Sequence, residues 1–173
     1  MPLAVSACFI AIRIAGASVA VLLALTAAVA DPPPGARWLW PVGPPHAIAR
    51  PFVAPATPYG AGHRGIDIRA PSGSVVRAPA DGVVFFTGFV VDRPVLSIAH
   101  AGGVLSSFEP VVASVAAGDH VRRGQVIGTL LAGHCSSTCL HLGARVAGQY
   151  VNPLLFLGEV PRAVLLPVRG GER

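Results

Sequence analysis

From His63 onward, glycine, proline, aspartate and serine interrupt the chain so often that no apolar stretch can continue as a long helix. Between these breakers stand short β-branched and aromatic runs: VVRA, GVVFFTGFVV, PVLSIAH, GVLSSFE, VVASVAAG, QVIGTLL and LHLGARV. Each has strand length and is bounded by turn residues. No window keeps an apolar 3.6-residue period over three turns. The expectation is an all-β domain of about seven short strands, an antiparallel β-sandwich or partly open barrel. The segment AGDHVRRGQVIG, Ala117 to Gly128, places glycines at two turn positions, as a tight hairpin requires.

The flanks differ from this core. Between Pro2 and Ala30 the only charge is Arg13, and IAGASVAVLLALTAAVA ends on Ala28-Val29-Ala30 before DPPPG. That pattern predicts a secretory signal peptide over residues 1–30 with an A-x-A cleavage site. An uncleaved membrane anchor is the alternative, because the apolar run is at the lower edge of spanning length. Residues 31–49 are proline-rich and read as an extended linker that becomes ordered where Trp38, Trp40 or Phe52 can dock. The β-domain is expected over residues 50–158, and the proline-interrupted stretch 159–173 as a loosely packed tail. At 173 residues the chain suffices for one domain with a real core, not two.

All thirteen basic residues are arginine, against eight acidic ones. Only Arg122 and Arg123 adjoin, and no stripe of aromatic and basic residues tracks a backbone, so nucleic acid is not an expected partner. A mildly positive exported protein is instead attracted to a cell wall or membrane surface. Export would remove Cys8 with the leader and leave Cys135 and Cys139 as an even pair in an oxidising compartment, where a disulfide is the expectation. Membrane contact is expected only through an uncleaved leader.

Metal chemistry is suggested by His63-Arg64-Gly65-Ile66-Asp67 and by His141 in LHLG. In an extended segment the even spacing of His63 and Asp67 puts both on one side of the chain. An imidazole, a carboxylate and a second imidazole from a neighbouring strand are a donor set zinc accepts.

The settings of these residues carry more. GHRGIDIRAPSGSVVRAPADGVVFFTG, then GDHVRRGQVIG, then CLHLGARVAGQYVNPLLFL resemble the lysostaphin and LytM type of zinc endopeptidases, which cut peptide cross-links of bacterial cell walls. The resemblance covers Trp40 to Leu157. It implies zinc ligands at His63, Asp67 and His141, and peptidoglycan peptides as substrate. It also marks two departures. Active members read H-x-H at the last motif, where this chain has Cys139-Leu140-His141. A second family histidine falls at Glu109, nine residues before Gly118.

Glu109 is therefore the expected substitute for proton transfer, since a carboxylate serves as base in other zinc hydrolases. His134 is a further candidate for that work, with a solvated turn histidine as its plainer reading. A free Cys139 thiolate would instead be a fourth ligand and close the site. His134, Cys135, Cys139 and His141 could also form a zinc knuckle alone, which export and oxidation oppose. His100 and His120 read as exposed turn residues, and His46 as a linker residue. Two functions follow as expectations: an exported zinc endopeptidase, or a degenerate domain acting as a wall-binding or regulatory module. A biotinyl or lipoyl carrier, which shares the GD-x-V-x-x-GQ hairpin, is excluded because no lysine is present to hold the cofactor.

Overall fold

The computed structural model describes residues 37–57, 59–136 and 138–158. The leader at 1–30, the start of the proline-rich segment and the tail at 159–173 lie outside the described residues. In chain order the strands are β1 (Ile48–Arg50), β2 (Gly65–Arg69), β3 (Val75–Arg77), β4 (Gly82–Val90), β5 (Arg93–Ala99), β6 (Val104–Glu109), β7 (Val111–Ala113), β8 (His120–Val121), β9 (Val126–Leu130), β10 (Cys139–Val146) and β11 (Gln149–Tyr150). A short 3-10 turn at Ala101–Gly103 and one helical turn, α1 (Leu154–Leu157), complete the described elements. Each of the seven apolar runs supplies a strand, and the all-β expectation is met.

The strands form two antiparallel sheets. The larger has eight strands in the order β1-β2-β10-β6-β5-β4-β8, with β11 paired to β10; the smaller is β3-β9-β7. Ile66, Ile68, Leu96, Phe108, Leu140 and Leu142 of the large sheet share one core with Val76, Val111, Ile127 and Leu130 of the small one. Alternation of side chains along a strand assigns the other face of β2, β10 and β6 to different residues. Asp67, His141 and Glu109 stand in register across those three strands, and Gly65, Gly143 and Ser107 form the next row of that face.

The aromatic residues of the proline-rich segment pack on this domain. Trp38 is buried and stacks on Phe156 at 4.5 Å between ring centroids, and its amide donates to the Phe156 carbonyl. Trp40 stacks on His46 at 4.4 Å. His100 departs from its expected exposure. The 3-10 turn places the exposed positions just after it, and Trp38 covers its ring at 5.2 Å. Its Nδ1 donates to the Asp81 carbonyl at 2.8 Å and its Nε2 accepts from the Ser106 hydroxyl at 2.7 Å. His120 is exposed, as expected.

Candidate metal centre

His63 enters the site from just before β2. Its backbone pairs with Val53 in an isolated bridge, which fixes the chain direction. Its Nδ1 lies 2.7 Å from the Pro51 carbonyl oxygen. A carbonyl only accepts, so Nδ1 carries the proton and the Nε2 lone pair faces inward. Such an outer hydrogen bond is the usual device for orienting a metal-binding imidazole.

That Nε2 lies 3.1 Å from Asp67 Oδ1 and 3.1 Å from His141 Nδ1, while His141 Nδ1 and Asp67 Oδ1 are 2.8 Å apart. All three residues are buried, between 3% and 9% exposed. Three lone-pair atoms packed this closely repel unless a proton or a cation sits among them. Tetrahedral zinc, with bonds of about 2.0–2.2 Å to nitrogen and oxygen, separates its ligand atoms by about 3.3 Å, so a small outward shift accommodates it. The donor set fits the ion.

Burial raises the Asp67 carboxyl, but hydrogen bonds from His134 and His141, with the charges of His141 and His63, outweigh it and hold the group well below the usual carboxylate range. Asp67 is thus an anion under all ordinary conditions.

His134 is not the solvated turn residue of the plainer expectation. Its Nε2 approaches Asp67 Oδ1 to 3.1 Å, and its ring centroid lies 5.0 Å from that of His141. The four side chains His63, Asp67, His134 and His141 keep one potential donor atom each within 4.8 Å of the others. Sequence gave little sign of this, because the loop after β9 has no strand pattern to fix where His134 points. The disulfide supplies the constraint. Cys135 and Cys139 are bonded, and Cys135 Sγ lies 3.9 Å from Asp67 Oδ2. With both sulfurs joined, neither the thiolate ligand nor the zinc knuckle forms.

Glu109 stands one strand from His141, as its direct register partner on β6. The two residues line a cleft of about 450 Å³ with Ser107, Arg64, Phe86 and Tyr150. That is within the size range of ligand sites. A smaller cleft of about 190 Å³, lined by His134, Arg93 and Phe89 among others, shares the β4–β5 hairpin as a wall. Among the described residues no helix is long and apolar enough to cross a membrane.

Comparison with known proteins agrees with this architecture. A protein of Mycobacterium tuberculosis is 43% identical over 129 residues, which span 70% of this chain and 52% of that protein. The DD-carboxypeptidase/endopeptidase Mpg of Neisseria meningitidis is 42% identical over 94 residues, 53% of this chain and 22% of Mpg. The chain thus spans about half the length of the first relative and a smaller part of the second. Among solved structures, the catalytic domain of EnpA, a prophage-encoded M23 protein of Enterococcus faecalis crystallised as a mutant, superimposes with a TM-score of 0.57 at 25% identity, over 69% of this chain and 96% of that one. Residues 61–153 match the model of Peptidase family M23, the family of the lysostaphin and LytM type enzymes that the motifs resemble. The chain belongs to Peptidase family M23.

Proposed function

We propose that this chain is an extracytoplasmic zinc endopeptidase that hydrolyses peptide bonds in peptidoglycan stem peptides or cross-bridges. One observation carries the reading: Nε2 of His63, Oδ1 of Asp67 and Nδ1 of His141 form a buried triangle with sides of 2.8–3.1 Å. These three residues hold the ion. When bound, zinc supplies Lewis acidity toward a scissile carbonyl and toward water. Glu109, facing the same cleft as His141, accepts a proton at its carboxylate and returns it to the leaving amine. Loss of such a positioned group typically costs about 10²–10⁴-fold in rate. The disulfide suits an oxidising compartment outside the cytoplasm.

A second reading is favoured by Cys139, which the resemblance aligns with a proton-transferring histidine and which is locked in a disulfide. On that reading the domain keeps its metal and binds wall peptides or tunes a separate hydrolase without turnover. Zinc content and wall-peptide cleavage, measured for the protein beside His63→Ala and Glu109→Gln, separate the two. Cleavage lost in both variants, with zinc lost only in His63→Ala, supports the enzyme. Stoichiometric zinc with no cleavage by the unaltered protein establishes the regulatory module.

A further inference from the structure

Two imidazoles of the cluster are held from behind by opposite kinds of partner. Behind His63 stands an acceptor, the Pro51 carbonyl, 2.7 Å from Nδ1. Behind His134 stands a donor, Nη1 of Arg93, 3.0 Å from Nδ1. A guanidinium has five N–H groups and no lone pair to offer, so the His134 Nδ1 must present its own lone pair. A neutral imidazole with a lone pair on Nδ1 carries its proton on Nε2. That proton points at Asp67 Oδ1, 3.1 Å away. Both ring nitrogens are then satisfied, one as acceptor and one as donor.

Arg93 is itself fixed. Its Nε and Nη2 grip both oxygens of Asp92 at 2.8 and 3.2 Å, which leaves Nη1 for His134. Asp92, Arg93, His134 and Asp67 therefore form a chain of polar contacts running from the start of β5 into the cluster. A metal ligand needs a free lone pair, and Nε2 of His134 has a proton in that place. By distance alone His134 belongs with the ligands; by hydrogen-bond polarity it does not.

We propose that Arg93 sets the tautomer of His134, keeping this ring out of the metal's ligand set as an N–H donor and leaving the centre with three protein ligands. This rests on the metal reading given above. Arg93 is a positioning residue that acts through His134. Three protein ligands leave a coordination position for chemistry, whereas four close the site into a structural one.

Long-range proton–nitrogen correlation spectra of the ¹⁵N-labelled protein read which ring nitrogen of His134 is protonated, with His134→Ala providing the assignment. The metal-free protein should show the Nε2–H tautomer at His134 and Nδ1–H at His63. On adding zinc the His63 and His141 signals should move to metal-bound positions while His134 keeps its tautomer. Arg93→Glu replaces the donor by an acceptor and should convert His134 to Nδ1–H. Its freed Nε2 then joins the metal, tightening zinc binding by about tenfold or more, and adding His134→Ala to Arg93→Glu should cancel that gain. Arg93→Lys, which still donates, should retain the native tautomer. An Nδ1–H tautomer at His134 in the unaltered protein overturns the proposal without any variant having to fold. So does a folded Arg93→Glu protein whose His134 tautomer is unchanged, or a His134 signal that moves to a metal-bound position when zinc is added. Absence of zinc binding by the unaltered protein overturns the metal reading instead, while the metal-free spectrum still decides the tautomer.

Discussion

Gly65 lies directly against the ring of His141: a methyl group added at Gly65 would sit 2.5 Å from His141 Nε2 and closer still to the Leu142 carbonyl oxygen. The paired strand leaves no slack, since Gly65 is in register with Gly143 and Asp67 with His141. Gly65→Ala must therefore push the imidazole or part β2 from β10. The expected cost is about 1–3 kcal/mol of stability, as for other overpacked interiors. Zinc affinity should fall by about tenfold or more, because the His141 ring leaves its orientation. A chelator-competition titration together with a urea melt reads both; unchanged zinc affinity would show that this contact does not orient His141.

Asp67 is the oxygen on which the cluster converges, touched by His63, His134 and His141. Asp67→Asn keeps the shape and removes the charge. The unaltered protein should gain about 2.7 kcal/mol of stability when free zinc is a hundredfold above its dissociation constant. The variant should gain far less at the same zinc concentration. Thermal melts with and without zinc check this, and equal shifts in the two proteins would remove Asp67 from the ligand set.

The Cys135–Cys139 bond closes a loop of sequence separation 4. Loop-closure entropy assigns so small a ring about 2 kcal/mol. Replacing both cysteines by serine should cost about that much in urea unfolding. It should also release His134, whose place beside Asp67 depends on this loop. The unaltered protein in a dithiol reductant should match the double variant. Equal unfolding midpoints with and without reductant would mean that the loop is held by other contacts.

The strands were legible in the sequence because their apolar runs are broken by turn residues at almost every boundary. β1, β8 and β11 were not: β1 and β11 have no apolar run of their own, and the hairpin read at Ala117–Gly128 does not form, because β8 pairs with β4 while β9 pairs with β3 and β7. Their pairing is set by neighbours instead: β8 on β4, β11 on β10. In the site, the joint position of His63 and Asp67 could be anticipated from even spacing along an extended segment. The convergence of His141 with them depends on β10 pairing with β2 across more than seventy residues, which only the family pattern signalled. Arg93 had no signal at all. Its role follows from a hairpin, a loop and a disulfide meeting in space, and residue type at position 93 says nothing about what will stand opposite.

His100 supplies a dependence on pH through its contacts with Asp81, Ser106 and Trp38. Burial lowers its pKa from the ordinary 6.5, and the hydrogen bond to the Asp81 carbonyl and the Asp81 charge only partly restore it. The neutral ring suits its place, since Nδ1–H donates to Asp81 and Nε2 accepts from Ser106, whose side chain is fully buried. Protonating Nε2 would set a donor against that hydroxyl and force it to turn. In the unfolded chain His100 takes up a proton as pH falls through about 6.5, whereas in the folded protein it does so only at lower pH. The unfolded state binds more protons in that interval, so stability is complete above the unfolded pKa and declines as pH drops toward the folded one. Below the folded value the loss levels off. Urea midpoints between about pH 5 and pH 8 should therefore fall on the acid side in the unaltered protein. The informative quantity is the difference from His100→Gln, which keeps polar atoms at the site but has no titrating group. That difference should shrink as the solution is acidified. A difference that stays constant across the interval would mean that His100 is protonated equally in the folded and unfolded chain.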